Sequence, residues 1–330
     1  MEIGKLPNEV LQSLVLNNIK GHRREVIVRP SIGEDCAAVD FNQELCVISS
    51  DPITGTDNEI GTIAVHVSCN DIAASGAEPI GIMVTLLIPP LASETSLEKV
   101  IKQLSMTAAS LNVDIIGGHT EVTDAVNRFV ICITAVGKTI NKNIVKTSGA
   151  KPGDDLILTK HAALEGTSIL AHEHDIKLTG KFGKNFVSKA QEFINHISVI
   201  KEGMISAKHG AHAMHDVTEG GVLGAIWEMC ESSGCGAEVF EERIPIQNET
   251  QEICKYFGID PLKLISSGSM LISTRDGASL VEKLEKEGVK ASIIGKTTEN
   301  KKCILLTDSG PVIILPPSSD ELYRVKVKEK

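Results

Sequence analysis

The apolar positions between Glu59 and Gly76 recur at helical spacing. In the stretch EIGTIAVHVSCNDIAAS they fall three or four residues apart, and Asp71 continues the same series. Gly76 supplies a C-terminal cap, so the pattern predicts a helix with Asp71 in its last turns. A carboxylate on a buried stripe near a helix C-terminus is unfavourable without a positive partner. The pattern therefore leaves two alternatives, a Lys or Arg side chain or a bound cation.

Similar patterning predicts sheets and helices in both halves of the chain. Buried strands are expected at ELCVISS and IGIMVTLLI, at VDIIGGHT, which should end at its two glycines, and at RFVICITAVG, with a capped helix at SETSLEKVIKQLSMTAASL. The second half offers the strands DLILTK, AHAMHD and SMLIST and the helix EGGVLGAIWEMCESS. These elements predict an α/β fold with mixed α+β layers. The polar stretch INKNIVKTSGAKPGDD predicts a boundary between two domains, 1–150 and 151–330.

Composition narrows the class of protein. Hydrophobic residues make up 42% and charged residues 23%, as in soluble globular proteins. The net charge of -10 and the 3% aromatic content argue against a nucleic-acid partner. The longest apolar run, IGIMVTLLIPPLA, is too short to cross a membrane, and the start of the chain does not resemble a signal peptide. Eight cysteines without a C-x-x-C pair suit a reducing compartment. We expect a cytoplasmic location.

Four acidic residues stand where strand ends, turns or a helix end would present them. They are Asp35 in the turn GED, Asp51 after a buried strand, Asp71, and Asp216 at the end of AHAMHD. Hard cations such as Mg²⁺ prefer oxygen ligands, which are often carboxylates shared with substrate phosphates. Taken singly, each acid could equally be an ordinary cap or turn residue. Together they are candidate metal ligands.

Glycines and polar residues near these acids are candidate nucleotide contacts. Glycine-rich turns and helix N-termini let backbone N–H groups approach a phosphate. The chain has neither a P-loop nor a Rossmann glycine motif. Lys160 is a candidate phosphate contact and alternatively an ordinary strand-end lysine, and His119 is a candidate catalyst or alternatively a turn histidine. The further candidates are Gly33, Ser50, Asn70, Gly117, Gly118, Gly166, Thr167 and Gly220.

The ordered motifs GEDCAAV, SSDPITGT, NDIAASGAEP, GGHTEV and HDVTEGGVLGA resemble a known superfamily of ATP-binding proteins. It contains aminoimidazole ribonucleotide (AIR) synthetase (PurM), the hydrogenase maturation protein HypE, thiamine-monophosphate kinase and selenophosphate synthetase. The resemblance runs from about residue 30 to residue 275. It implies a PurM-like two-domain homodimer whose N-terminal domains pair. It also implies that Asp35, Asp51, Asp71 and Asp216 approach one site for ATP and Mg²⁺, which would supply the cation that Asp71 needs.

The resemblance is strongest to HypE-related, AIR-synthase-like proteins that lack a C-terminal cysteine tail. HypE-like proteins are expected to end in a Pro-Arg-Ile-Cys-type tail, whereas the given sequence ends in KVKEK and its last cysteine is Cys303. AIR synthetases and thiamine-monophosphate kinases carry an acid at the position of His119. The different tail places the cyanide-ligand reaction of HypE in question.

The resemblance implies an ATP- and Mg²⁺-dependent enzyme that phosphorylates, or dehydrates through a phosphorylated intermediate, a small amide- or carboxyl-like substrate. His119 and Glu121 would lie near the acceptor. A role in hydrogenase maturation with a partner protein is one expectation, and an AIR-synthase-like activity is the alternative. A nucleotide-binding accessory protein without turnover is the third.

Overall fold

The first half of the chain forms a six-stranded sheet with two long helices. The structure, a computed structural model, describes residues 8–10, 12–13, 26–28, 31–34, 36–40, 44–54, 56, 58–139, 142–317 and 319–328. The sheet order is β1-β2-β3-β6-β4-β5, and only β4 and β5 run parallel. The strands are Val26–Val28 (β1), Ala37–Asp40 (β2), Leu45–Ile53 (β3), Ala77–Ile88 (β4), Asp114–Val122 (β5) and Val130–Thr139 (β6); the helices are Asn8–Val10 (α1), Ile60–Ala74 (α2) and Glu94–Ser110 (α3).

The second half forms a seven-stranded sheet, ordered β13-β12-β9-β11-β7-β10-β8, in which only β9 and β12 run parallel. Its strands are Asp155–Thr159 (β7), Ala213–Asp216 (β8), Gly236–Phe240 (β9), Met270–Thr274 (β10), Ala291–Thr298 (β11), Cys303–Thr307 (β12) and Gly310–Ile313 (β13). Its helices are Leu164–Glu173 (α4), Asp175–Phe182 (α5), Lys184–Gln191 (α6), Ile200–His209 (α7), Gly221–Ser233 (α8), Asn248–Phe257 (α9), Gly277–Lys286 (α10) and Glu321–Lys328 (α11). The mixed, layered α/β class predicted from the pattern is confirmed.

Helix α2 is the central element of the molecule. Its apolar side chains pack under the first sheet, together with Val47, Ile82 and Ile133. The sequence suggested a single apolar stripe, but almost every residue of α2 is buried because α7 and β8 pack against it as well. A helix that is covered on more than one side must satisfy its polar groups internally. This requirement determines the surroundings of Asn70 and Asp71.

Strand β5 is longer than predicted. It continues through Gly117 and Gly118 to Val122, at the edge of the first sheet beside β4. Glycine normally weakens a strand, which is why the pair suggested a strand end. Here the strands approach so closely that a Cβ atom on Gly118 would lie 1.9 Å from the Val84 carbonyl oxygen. The glycine therefore permits the pairing.

None of the helices in the described residues is long and apolar enough to span a bilayer.

Candidate functional site

Two of the four predicted metal ligands lie together between the first sheet and α2. The Ser49 hydroxyl donates a hydrogen bond to Asp71 Oδ2 and also lies 3.1 Å from Asp51 Oδ2. Asp71 is buried and Asp51 is half-buried. Side chains two residues apart on a strand share a face, so Ser49 and Asp51 both lie on the face of β3 that meets α2. One hydroxyl group thus bridges two carboxylates that are distant in sequence.

This arrangement suits a small hard cation. Mg²⁺ is commonly bound through one or two carboxylates, with water and phosphate oxygens completing its octahedron. Asp51 and Asp71 provide two such groups, and the half-buried position of Asp51 leaves an approach from solvent. Across the parts of the chain that the structure describes, no group of three or more His, Cys, Asp or Glu side chains is arranged as a metal site. A cation held here would add nucleotide and water oxygens, and any further carboxylate within reach, to the oxygens of Asp51 and Asp71.

The other two predicted ligands are placed differently. Asp35 lies outside the described residues. Asp216 ends β8 as predicted, is buried, and lies opposite Met270 of β10 in the second sheet. Helix α2 packs against β8, so the strand that carries Asp216 is a neighbour of the helix that carries Asp71. Their joint role as ligands of one ion remains a prediction.

The predicted residues of β3 and β5 divide between the two faces of the first sheet. Ser50 of β3 pairs with Thr134 of β6, which pairs with Met83 of β4, which in turn pairs with Gly117 of β5. These four residues therefore form one row across the sheet, on one of its faces. Ser50 Oγ lies 3.0 Å from Thr134 Oγ1 across this row. Gly117 and Ser50 therefore face away from the acidic pair.

His119 and Glu121 continue along the same face as Gly117, because they follow it at two-residue intervals. Both side chains are exposed, and His119 Nε2 lies 3.4 Å from Glu121 Oε2. The pair could accept or deliver a proton, but β5 is an edge strand and leaves it open to water. Such an open pair needs a cover, from substrate or from a second polypeptide, to act as a catalytic group.

Lys160 and Asn70 are engaged by protein groups. Lys160 Nζ lies 2.7 Å from Glu202 Oε1 and donates to the carbonyl oxygens of His196 and Ser198. Burial lowers the pKa of Lys160, and the Glu202 carboxylate opposes that shift. The Asn70 amide connects α2 to the segment before α7 through two 2.8 Å hydrogen bonds with backbone groups, which lie at residues 197 and 199. Both side chains were predicted to contact the nucleotide; both have protein partners in the structure, and the nucleotide contact stays a prediction.

The predicted phosphate contacts in the glycine turns of the second half also have hydrogen-bond partners within the protein. The N–H of Gly166 donates to the Ile265 carbonyl oxygen, and the Thr167 hydroxyl lies 2.9 Å from the Thr250 hydroxyl. At the start of α8 the N–H of Gly220 donates to Asp320 Oδ2 at 2.8 Å. A protein carboxylate thus takes the place at this helix terminus where the sequence suggested a phosphate.

Gly33 lies in a turn with a φ of 80°, and a Cβ atom there would lie 3.2 Å from the Glu228 carbonyl oxygen of α8. The turn therefore packs against the second half of the chain, and its proposed contact with nucleotide stays a prediction.

Two functional features were missed at the sequence level. Ser49, which bridges the acids, was not among the predicted residues, although strand alternation from the buried Leu45 and Val47 places it on the face that meets α2. His66 lies one turn before Asn70 on α2 and lines a cavity of about 760 Å³ beside α3. Burial, assisted by the charge of Lys160, lowers the His66 pKa from 6.5 to about 4. No sequence pattern predicts the lowered pKa of His66, because Lys160 is distant from it in sequence.

A second cavity of about 730 Å³ is lined by Lys160 and shares Asn195 and Ser198 with the first. His161, Lys189 and Lys290 contribute to its lining. The pKa of His161 is lowered by burial and by the neighbouring charges of Lys290, His196 and Lys160. The cavity is large enough for a small molecule, and its lining carries charges of both signs, including Glu192 and Glu249.

Comparison with known proteins adds family relationships to this geometry. The family described as AIR synthase related protein matches with its N-terminal domain over residues 33–139 and with its C-terminal domain over residues 151–307. A putative hydrogenase expression/formation protein of Methanocaldococcus jannaschii is 29% identical, over 98% of this chain and 97% of its own. The carbamoyl dehydratase HypE of Rhodobacter capsulatus is 24% identical, over 82% of this chain and 78% of its own.

Solved structures share the fold. HypE in a complex with HypF has a TM-score of 0.77 at 21% identity, covering 93% of this chain and 99% of that one. HypE in complex with ATP has a TM-score of 0.70 at 20% identity, covering 95% of each chain. At this level of identity the likeness establishes the two-domain architecture and leaves individual residue roles to the chemistry of the site.

Proposed function

The chain belongs to the AIR synthase related family, and we propose that it is an ATP- and Mg²⁺-dependent enzyme acting on a small amide- or carboxyl-like substrate. The relatives named for hydrogenase expression and carbamoyl dehydration support a place in hydrogenase maturation. The observation that carries the proposal is the bridge from Ser49 to both Asp51 and Asp71. It supplies a built pair of carboxylates at the place where the family resemblance calls for a metal-nucleotide site.

In this proposal Asp51 and Asp71 hold Mg²⁺ against the phosphates of ATP. ATP would supply a phosphoryl group that turns a poor leaving oxygen of the substrate into a good one. Most catalysis of phosphoryl transfer comes from positioning and charge neutralisation. The role of Ser49 is to orient both carboxylates, because its hydroxyl contacts one oxygen of each. Asp35 and Asp216 are proposed as further ligands.

The open face of the first sheet would hold the acceptor side of the site. Ser50, Gly117 and Gly118 were all predicted to contact the nucleotide. Because Ser50 and Gly117 face away from Asp51 and Asp71, we propose them as acceptor contacts and keep Gly118 and Gly33 as proposed nucleotide contacts. His119 and Glu121 are proposed to exchange a proton with the substrate, since their side chains lie 3.4 Å apart on one face. Removal of water from this pair would strengthen its interaction with substrate.

A homodimer would provide that cover. Strands β4 and β5 expose large apolar side chains, including Met83, Ile115 and Ile116. Exposed apolar patches of this kind mark interaction surfaces, and a second copy pairing through its first sheet would bury them together with His119. We further propose a maturation protein as a transient partner, by analogy with the HypE–HypF complex.

A nucleotide-binding accessory role without turnover is the second candidate. It is favoured by the internal partners of Lys160, Gly166, Thr167 and Gly220, which leave fewer groups for phosphate. An AIR-synthase-like reaction is a narrower alternative within the enzyme class. The three proposals share an ATP site and differ in whether, and on what, the phosphoryl group is used.

Phosphate release separates these candidates. The purified chain is incubated with Mg²⁺, ATP and acceptors of three classes: carbamoylated thiols, small amides and carboxylates. We expect acceptor-dependent turnover that falls at least 100-fold in Asp71→Asn and is unchanged in Asp308→Asn, which alters an exposed turn between β12 and β13. ATP binding without turnover on any acceptor would support the accessory role instead.

A further inference from the structure

Three of the eight cysteines lie together at the end of α8 that is opposite to Gly220. Cys230 lies in the last turn of α8, Cys235 follows the end of the helix, and Cys303 begins β12. Helix α8 packs against both β9 and β12, which brings the segments that carry these cysteines together. All three side chains are buried in one apolar cluster. The proposed ATP chemistry makes no use of this thiol cluster.

Backbone geometry holds Cys230 and Cys235 near each other. Gly234 ends α8 with a φ of 68°, a left-handed conformation suited to glycine. The N–H of Cys235 then donates to the Cys230 carbonyl oxygen at 3.1 Å, which is the closing hydrogen bond of a Schellman motif. The backbone conformation at the C-terminus of α8 therefore holds these two cysteines close together.

Sheet pairing brings in the third cysteine. Strand β12 runs parallel to β9, and the register places Cys303 opposite Ala237, two residues after Cys235. The cluster thus joins a helix to a strand that lies more than sixty residues further along the chain. A covalent bond from Cys230 to Cys303 would link these two elements.

The cluster lies just beneath the surface. Glu231 and Gly234 are exposed on one side, and the turn at Asn300–Lys302 is exposed on the other. Exposed turns and helix ends open locally at low free energy. A small oxidant can therefore reach sulfurs that are buried on average.

The three thiols are not equivalent. Hydrogen bonding to its two neighbours and burial raise the pKa of Cys230. The same hydrogen bonds lower the pKa of Cys235 and of Cys303. Because the thiolate is the reactive form, these shifts favour Cys235 and Cys303 as the thiols that attack a peroxide first, with Cys230 close by in the same cluster to resolve the product.

We propose that Cys230, Cys235 and Cys303 form an oxidation-sensitive site in which Cys230 makes an intramolecular disulfide with one of its two neighbours. Hydrogen peroxide is the oxidant. The Cys235 or Cys303 thiolate attacks it, an S–O bond forms as the O–O bond breaks, and after proton transfer water leaves. The Cys230 sulfur then attacks the sulfenic acid, the S–O bond breaks, and a second water leaves. Two thiols lose two electrons in total and peroxide gains them.

The remaining thiol stays beside the disulfide. It can exchange with the oxidised pair, because thiol–disulfide exchange needs only a neighbouring thiolate. A bond between Cys230 and Cys303 closes a long loop, which raises stability by constraining the unfolded chain. Oxidation should therefore raise the melting temperature reversibly, with thiol reductant restoring the original value.

The test uses the full chain exposed to hydrogen peroxide, then alkylated under denaturing conditions and measured by intact mass and peptide mapping. The wild type should lose two of its eight alkylatable thiols and yield a peptide that joins Cys230 to Cys235 or Cys303. Cys230→Ala should lose this peptide. Cys254→Ala, which removes a buried cysteine of α9 outside the cluster, should retain it.

Two results would overturn the proposal: a wild type that keeps eight alkylatable thiols, or a disulfide that joins other cysteines. Should Cys230→Ala fail to fold, the neighbours supply the test. Cys235→Ala and Cys303→Ala should each still form one disulfide with Cys230, and the double variant should form none. A disulfide that persists in the double variant would equally contradict the proposed site.

Discussion

The two adjacent glycines of β5 should differ in how substitution by alanine changes the stability of the protein. At Gly118 a Cβ atom would lie 1.9 Å from the Val84 carbonyl oxygen and 2.8 Å from its nitrogen, and φ is 148°. At Gly117 the nearest atom to a Cβ would be Met83 Cε at 3.9 Å, an ordinary contact. Gly118→Ala must therefore displace the backbone of β4, whereas Gly117→Ala requires no movement.

The size of the effect follows from this contrast. Disfavoured backbone conformation costs on the order of 1–3 kcal/mol, and each disturbed ladder hydrogen bond adds about 1 kcal/mol. Alanine recovers roughly 0.4–1 kcal/mol by restricting the unfolded chain. We expect Gly118→Ala to lower the free energy of unfolding by about 2–3 kcal/mol, and Gly117→Ala to raise it by roughly 0.4–1 kcal/mol.

Urea unfolding followed by circular dichroism measures both variants against the wild type. Equal stability of Gly117→Ala and Gly118→Ala would refute the close approach of β4 and β5. The same proteins serve a second purpose. If Gly117 lies against the acceptor as proposed, Gly117→Ala should raise the KM for the acceptor without loss of stability, a combination that Gly118→Ala cannot give.

Two further substitutions address the interior of α2. The folded pKa of His66, about 4, is below its ordinary 6.5, so the unfolded state binds more protons between these values. The free energy of unfolding should then decline by about 3 kcal/mol as pH falls from 6.5 to 4. Urea unfolding at several pH values should show a smaller decline for His66→Gln. The same pH dependence in the variant and the wild type would contradict the burial of His66. Asn70→Ala removes the two hydrogen bonds to residues 197 and 199 and should lower the free energy of unfolding by about 2–4 kcal/mol. The control Asn127→Ala, at an exposed position, should leave it almost unchanged. Equal effects of the two substitutions would argue against these hydrogen bonds.

Local pattern was sufficient to predict α2 and the start of α3. Helical spacing of apolar residues and Gly76 set the bounds of α2 close to the observed Ile60–Ala74. Ser93 caps α3 through the N–H of Ser96 at 3.1 Å, as its capping pattern predicted. The family identified from five short motifs is likewise confirmed. These features depend on neighbours within a few residues, which a sequence displays directly.

The remainder depends on partners far away in sequence. Gly220 is matched to Asp320, and Lys160 is paired with Glu202, so neither residue's own surroundings in sequence revealed its role. The contact of Ser49 with Asp71 also depends on a distant partner, because the face of β3 that meets α2 decides which serine reaches this helix.

The central claim is that Asp51 and Asp71 hold a divalent cation against the phosphates of ATP. Isothermal titration of ATP into wild type, Asp71→Asn and Asp308→Asn, each with and without Mg²⁺, tests it most directly. Asparagine retains an oxygen that can accept the Ser49 hydrogen bond, so the fold should persist. We predict that Mg²⁺-dependent ATP binding weakens at least tenfold, about 1.4 kcal/mol, only in Asp71→Asn. Wild-type affinity for Mg²⁺-ATP in that variant would contradict the account.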